Sequence, residues 1–295
     1  MIRALVVDPS APAGVRLTNR PAPVDGVLVD VHYVSLNLGD LNDARSGRVP
    51  AGAVLGSDLA GVVVQTSQDG PPVGARVVAL TAGAFASRVA VEPSALAVVP
   101  EEVDLARAAT LPVAGLAALQ SLRAAGAGPG KRVLVTGASG GVGRFAVQLA
   151  RHAGATVIAS VGSPARGAGL EADEVIVGLT GLTTPVDIVI DNVGGPQLVE
   201  AWGLLAPGGS IQSVGWSSGE PATFPPYATV GPPKTLTSFL IDTTTAGPDL
   251  AALLTHVAAG HLRVELGWQG DLADYETAAK ALRNRQIQGK AVLQP

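Results

Sequence analysis

The chain has 295 residues, of which 47% are hydrophobic and 15% charged, and a formal net charge of −4. This length allows one or two domains with a sizeable core, while the charge gives no electrostatic basis for binding nucleic acid or an anionic membrane. The absence of cysteine excludes disulfides, thiolate nucleophiles and cysteine-ligated metals. No apolar run approaches the ~20 residues of a membrane span and no signal-peptide pattern opens the chain, so we expect a soluble, cytoplasmic protein.

Residues 1 to about 112 are predicted to be β-rich. Short apolar or alternating runs recur there and are separated by clusters of Gly, Pro, Asp and Ser, which is the pattern of strands joined by turns. The strand candidates are Ile2–Val7, Val27–Val34, Leu59–Gln65, Arg76–Leu80 and Ser87–Val91.

From Val133 the pattern changes to alternating strands and helices. The apolar run Val133–Thr136 precedes a glycine-rich turn, and an amphipathic stretch with apolar residues at helical spacing follows. Residues 249–259 and 274–285 are predicted helices, and Lys290–Gln294 is a last strand. Strands predicted to be buried on both faces, as in a parallel sheet, are Val157–Ser160, Val175–Val177, Val186–Asp191 and Ser210–Val214.

This order of elements predicts an α/β protein in which a doubly wound parallel sheet is inserted into a β-rich domain. The predicted boundaries are 1–112 together with 256–295 for the β-rich domain, and 113–255 for the domain that contains the parallel sheet.

The glycine-rich turn is the most informative functional signal. Strand, turn and helix in this order form the first half of a dinucleotide-binding βαβ unit. Glycines let a pyrophosphate approach main-chain N–H groups, and the N-terminus of the helix supplies partial positive charge. The predicted pyrophosphate-binding residues are Gly137, Ser139, Gly140, Gly141, Val142 and Gly143.

The end of the second strand favours NADP(H) over NAD(H). Folds that prefer NAD usually place an acidic residue there to hold the ribose 2′-OH, whereas this chain has Ser160, Ser163 and Arg166 and no carboxylate before Glu171. An arginine can present its planar fork to a 2′-phosphate, and a serine can donate a hydrogen bond. The alternative is that Arg166 is an ordinary solvated surface charge.

Seven short motifs are spread over essentially the whole chain: Leu36–Asp40, Leu55–Gly61, Leu111–Gly115, Gly137–Gly143, Asp191–Gly195, Leu205–Gly209 and Gly289–Leu293. In this order they resemble the medium-chain dehydrogenases/reductases, and in particular the zinc-free branch of quinone oxidoreductases and enoyl reductases. The resemblance implies a GroES-like catalytic domain built from both chain ends and a central Rossmann domain.

The resemblance also implies that no metal takes part. The zinc alcohol dehydrogenases of this family have a Cys where this chain has Asn37 and a His where it has Ser57. An amide and a hydroxyl are poor zinc ligands beside thiolate and imidazole. We therefore expect a metal-free enzyme and not an alcohol oxidation that uses zinc as a Lewis acid.

Matching positions imply further site residues. Asn37 would face the nicotinamide ring and hydrogen-bond the cofactor or the substrate, whereas Asp40 and Asp58 would be structural. The implied cofactor contacts are Pro112 and Val113 near the ring, Asn192, Val193 and Gly194 beside the ribose, Phe239 near the carboxamide through its main chain, and Lys290 or Arg285 at a phosphate.

Three features depart from the family pattern. Many relatives have an active-site tyrosine after the Asp40 segment, and this chain reads Arg48-Val49-Pro50 instead. Tyr33 is the best remaining candidate acid, with ordinary packing as the alternative. The segments 163–173 and 178–184 are shorter than the helices that normally stand there, so the nucleotide domain is trimmed on one face.

The leading hypothesis is a metal-free, NADPH-dependent reductase that transfers hydride to a quinone or an α,β-unsaturated carbonyl, and that forms a homodimer. One alternative is an enoyl reductase acting on carrier- or CoA-tethered chains in natural-product synthesis. Another is an NADPH-binding protein without turnover. The aromatic segment Gly215–Lys234 is either a wall of the substrate site or a loop anchored by its own aromatic residues.

Overall fold

The computed structural model describes residues 1–295 and contains fifteen strands and seven α-helices. The strands are β1 (Ile2–Val7), β2 (Val15–Arg20), β3 (Val27–Leu36), β4 (Asp58–Gln65), β5 (Arg76–Leu80), β6 (Arg88–Val91), β7 (Leu96–Val98), β8 (Arg132–Val135), β9 (Thr156–Val161), β10 (Glu174–Val177), β11 (Val186–Asp191), β12 (Leu205–Ser213), β13 (Thr235–Ser238), β14 (Leu266–Asp271) and β15 (Lys290–Gln294). The helices are α1 (Leu38–Ser46), α2 (Leu105–Ala108), α3 (Leu111–Ala124), α4 (Gly141–His152), α5 (Gly195–Leu204), α6 (Ala246–Ala258) and α7 (Tyr275–Arg283).

The chain forms two compact units, one of residues 1–116 with 242–295 and one of residues 117–241. The chain thus returns to the first unit at Asp242, ahead of the boundary at 256 that the sequence suggested. The reason is α6, which packs against β7 and β5 of the first unit. None of the helices is both long enough and apolar enough to span a bilayer.

The first unit is built around a seven-stranded sheet in the order β14-β15-β3-β4-β5-β7, with β6 also paired to β3. The pairs are antiparallel except for β14 with β15. Because the C-terminal strand β15 pairs with β3, both ends of the chain complete one sheet. Helix α7 buries Tyr275, Ala278 and Ala279, at helical spacing, in the core of this unit.

The second unit contains a six-stranded, entirely parallel sheet in the order β10-β9-β8-β11-β12-β13. The apolar residues of β8, β9 and β11 are buried, as predicted for strands covered on both faces. The prediction of a strand buried on both faces is wrong for β10. Most of its residues are exposed, because it is an edge strand and because the preceding segment forms only a short 3₁₀ turn, Pro164–Gly167.

Candidate functional site

In the second unit, the glycine-rich turn brings the N-terminus of α4 against the end of β8. Gly137 has φ of +58°, which favours glycine, and the helix begins directly after Gly140. A Cβ at Gly143 would lie 2.4 Å from the Gly137 carbonyl oxygen, so only glycine permits this approach. The turn therefore presents free N–H groups of a helix N-terminus, the arrangement that binds a pyrophosphate.

The ends of β8 and β11 are tied together beside this turn. Thr136 Oγ1 donates to Asp191 Oδ1 at 2.6 Å, and Asn192 Nδ2 donates to the Thr136 carbonyl at 2.9 Å. Asp191 Oδ2 accepts from the Gly194 N–H at 2.9 Å, and burial raises the pKa of this carboxyl. Asn192 Oδ1 is buried without a partner in the protein. A buried acceptor is normally satisfied, so this oxygen is suited to a hydroxyl of a bound ligand.

The structure brings Arg166 and Ser139 together. Arg166 Nε donates to Ser139 Oγ at 3.0 Å, which holds the half-buried guanidinium over the glycine-rich turn. Ser163 is half-buried at the N-cap of the 3₁₀ turn that carries Arg166. This contact favours a role at the turn over the interpretation of Arg166 as an ordinary solvated charge.

Other predicted cofactor residues of this unit have their polar groups engaged within the protein. Ser160 Oγ donates to the Gly178 carbonyl at 2.8 Å and accepts from Gln197 Nε2 at 3.1 Å. The Phe239 N–H donates to the Ser213 carbonyl at 3.2 Å. A main-chain contact between Phe239 and a carboxamide would therefore use the Phe239 carbonyl as acceptor. Gln197 was not identified from the sequence, since a glutamine on a helix carries no motif.

The loop after β12 is anchored by aromatic residues. Trp202 of α5 packs edge-on against Phe224, with ring centroids 5.9 Å apart, and its Nε1 donates to the Ala228 carbonyl at 2.8 Å. Trp216 lies so close to Gly194 that a Cβ there would be 2.4 Å from its ring. These contacts favour the anchored-loop interpretation for Phe224, while Trp216 lies against the strand end that carries Asn192.

In the first unit, four buried or half-buried polar residues form what we call the Asn37 cluster: Asn37, Asp40, Asp58 and Lys290. Asn37 Oδ1 accepts from Lys290 Nζ at 2.5 Å, and Asn37 Nδ2 donates to Asp58 Oδ2 at 2.9 Å. Asp40 caps α1 by accepting from the Asn37 N–H at 2.7 Å. The cluster therefore joins the end of β3, the start of α1, β4 and β15.

Burial shifts the titration of this cluster. Burial raises the pKa of Asp58 to about 6, against the opposing effect of the Lys290 ammonium. Burial and the neighbouring Asp58 charge raise the pKa of Asp40 to about 7. Burial lowers the pKa of Lys290. Because Asp58 and Lys290 are both almost fully inaccessible, the pair is sensitive to loss of either partner.

Lys290, for which the resemblance implied a phosphate contact, is buried in the structure. It is 5% exposed and is held by Asn37 and, at 3.4 Å, by the Leu36 carbonyl. This placement argues against a contact with a cofactor phosphate, because the ammonium is enclosed within the first unit. Arg285, the other predicted phosphate contact, is exposed after α7 with φ of +56°.

The remaining predicted residues of the first unit lie around this cluster. Asp58 Oδ1 accepts from the Val113 N–H at 2.9 Å, so the carboxylate also fixes the start of α3, where Pro112 is buried. Tyr33 is half-buried on β3, opposite Ala60 of β4. At ~3.3 Å per residue its Cα is roughly 13 Å from that of Asn37, and we find no contact that makes it part of the cluster.

Comparison with known proteins agrees with this architecture. A model described as alcohol dehydrogenase GroES-like domain matches residues 24–101, and one described as zinc-binding dehydrogenase matches residues 170–293. The chain belongs to the medium-chain dehydrogenases/reductases, a family of nicotinamide-dependent oxidoreductases.

Similar structures extend over the whole chain. A quinone oxidoreductase from Coxiella burnetii is 27% identical, with a TM-score of 0.87, and covers 100% of this chain and 99% of its own. The mycobacterial protein Rv1454c, solved in complex with NADPH, is 27% identical with a TM-score of 0.89 and covers 100% of both chains. A highly reducing polyketide synthase, apmlA of Arthrinium phaeospermum, is 32% identical over 66% of this chain but only 9% of its own length. The chain thus spans a small part of that relative.

The residues at the positions of the family's zinc ligands do not fit a zinc ion. A cation bound by Asn37 Oδ1 would face the Lys290 ammonium, which already donates to that atom at 2.5 Å. The oxygens of Asn37 and Ser57 are also poor ligands for zinc. These residues therefore do not support a zinc-dependent step.

Proposed function

We propose that this protein is an NADPH-dependent, metal-free reductase of an electron-poor C=C bond or a quinone. The observation that carries the cofactor preference is the Arg166–Ser139 hydrogen bond, which fixes a guanidinium beside the glycine-rich turn. A fixed guanidinium can bind a 2′-phosphate through two parallel hydrogen bonds. The similar structure with bound NADPH supports the same preference.

The proposed reaction follows from the groups available. Bound NADPH supplies a hydride for the β-carbon of the acceptor. The π electrons of the C=C bond then move to the carbonyl oxygen, where the developing negative charge requires a hydrogen-bond donor. Asn37 is the proposed donor. A proton from water adds to the α-carbon, so that the acceptor gains one hydride and one proton in total.

The proposal is tested by NADPH consumption with a panel of quinones, enones and enoyl thioesters, run beside NADH. The expected result is turnover with a kcat/KM for NADPH well above that for NADH. Saturable NADPH binding without turnover of any acceptor would contradict the proposal and favour the NADPH-binding protein without catalysis.

The polyketide synthase relatives favour a second acceptor class, enoyl chains tethered to a carrier protein or to CoA. The same panel separates the two classes. A kcat/KM at least tenfold higher for an enoyl thioester than for any free enone or quinone would assign the tethered substrate, whereas the reverse order would assign the free acceptor.

We further propose a homodimer joined through the β13 edge of the parallel sheet. All four residues of β13 are exposed, and Leu236 and Leu240 are 42% and 89% exposed. An unpaired edge strand with exposed apolar residues is a template for pairing with a second chain. Light scattering should give a dimer mass for the protein and a monomer mass for Leu236→Lys, and a monomeric wild type would contradict the proposal.

A further inference from the structure

The amide of Asn37 is held at both ends by groups of opposite charge. Its oxygen accepts from Lys290 Nζ at 2.5 Å and its nitrogen donates to Asp58 Oδ2 at 2.9 Å. An ammonium can only donate, and an ionised carboxylate can only accept. The two partners therefore allow one orientation of the amide, and the flipped orientation would place like groups against each other at both ends.

This orientation leaves a donor for a ligand. Asn37 Nδ2 has two hydrogens, and only the one directed to Asp58 makes a short hydrogen bond. The nearest acceptor for the other is the Ser35 carbonyl at 3.4 Å, a distance at which a hydrogen bond is weak. Asn37 is half-buried, not fully enclosed. The side chain is thus set to offer an N–H group to an acceptor atom.

Lys290 makes its shortest contact with Asn37, and it also faces the buried carboxylate of Asp58. It lies on β15, is 5% exposed, and its remaining contacts are long: 3.4 Å to the Leu36 carbonyl and 3.9 Å to Asp58 Oδ2. Burying an ammonium is costly unless it is well paired. An ammonium bound to the amide oxygen also polarises the amide and strengthens its N–H as a donor.

We propose that Lys290 is a positioning residue for the reductase reaction: with Asp58, it locks the Asn37 amide so that its N–H serves the acceptor oxygen on which negative charge develops. This inference rests on the proposed function. In this proposal Lys290 does not contact a cofactor phosphate. It affects the reaction only by orienting the Asn37 amide.

A double-mutant cycle tests this dependence. Lys290→Met keeps a long unbranched side chain but removes the donor, and we expect kcat to fall about tenfold to a hundredfold with little change in the KM for NADPH. In the Asn37→Ala background the same substitution should change kcat less than twofold. Lys280→Met, an exposed lysine on α7, is the control with the same loss of charge and should leave kcat unchanged.

If Lys290→Met does not fold, Asp58→Asn replaces it in the double-mutant cycle. The new amide oxygen still accepts from the Val113 N–H, but the charged acceptor for the Asn37 amide is lost. Two results would overturn the inference, provided that the wild type is active. One is that the substitution lowers kcat equally in the wild type and in Asn37→Ala, and the other is that Lys290→Met leaves kcat unchanged. No turnover by the wild type with any acceptor would overturn the proposed function and this inference together.

Discussion

At the scale of residues, two hydrogen bonds between side chains far apart in the chain shape the candidate site. Arg166 Nε donates to Ser139 Oγ, and Lys290 Nζ donates to Asn37 Oδ1. Arg166 and Ser139 were predicted as separate cofactor residues, and the structure joins them in one hydrogen bond. The resemblance implied a phosphate contact for Lys290 or Arg285, and a linear motif does not show that β15, which carries Lys290, pairs with β3. Such long-range pairing decides whether Lys290 faces solvent or the Asn37 amide.

The Arg166–Ser139 contact predicts how cofactor selectivity is lost. Arg166→Ala should raise the KM for NADPH roughly tenfold or more, the effect of losing a charge-assisted hydrogen bond, and should change the KM for NADH less than threefold. Initial-rate measurements with both cofactors check this. Arg132→Ala, on β8, is the matched control, and equal effects of Arg166→Ala on both cofactors would contradict a 2′-phosphate contact.

The raised pKa of Asp40 predicts that the stability of the protein depends on pH. Its pKa is raised by burial to about 7 from the usual 3.8, so the folded protein binds this proton more tightly than the unfolded chain. The corresponding stability is fully present below pH ~4 and is lost as the pH rises through about 7. Asp40→Asn, which keeps an acceptor for the Asn37 N–H, should reduce the fall in thermal midpoint between pH 5 and pH 8.

The control for this experiment is Asp43→Asn, a half-exposed carboxylate on the same helix. Differential scanning fluorimetry at several pH values compares the three proteins. A pH dependence in Asp40→Asn as steep as that of the wild type would show that the titration of Asp40 does not contribute.

At the scale of elements, the sequence predicted strands that contain a continuous apolar run. It did not predict strands that lack such a run and form only because they pair with a neighbouring strand. The bounds of β1, β5 and β11 agree with the prediction. Strand β13 was missed because Thr-Leu-Thr-Ser has no buried face, and β14 because it contains two glycines. Helix α1 was also missed, since it depends on its cap at Asn37 and Asp40 and has little apolar periodicity.

The packing of α4 against the glycine-rich turn gives a prediction at this scale. Gly143→Ala should destabilise the protein by about 1–3 kcal/mol, because the new Cβ would lie 2.4 Å from the Gly137 carbonyl oxygen. Gly203→Ala is the control: this glycine lies inside α5 with nothing within 4 Å of an added Cβ, and alanine should be neutral or stabilising there. Urea unfolding measures the stability of both variants. Equal stability of the two would contradict a close approach of Gly143 to the Gly137 carbonyl.

At the scale of the whole molecule, the order of the elements was sufficient to predict an α/β protein with an inserted parallel sheet, and the family comparisons confirm the fold. The position at which the chain returns to the first unit was not accessible from the sequence, because α6 is an apolar helix that could cover either unit. Only its packing on β5 and β7 assigns it to the first.

The most direct test of the central claim is to follow the hydride itself. NADPH carrying deuterium at the transferred C4 position is incubated with the protein and the best enone or enoyl thioester, and the product is analysed by NMR and mass spectrometry. The proposed reaction predicts one deuterium at the β-carbon and a solvent-derived hydrogen at the α-carbon. Saturable NADPH binding with no deuterium in any product would contradict it.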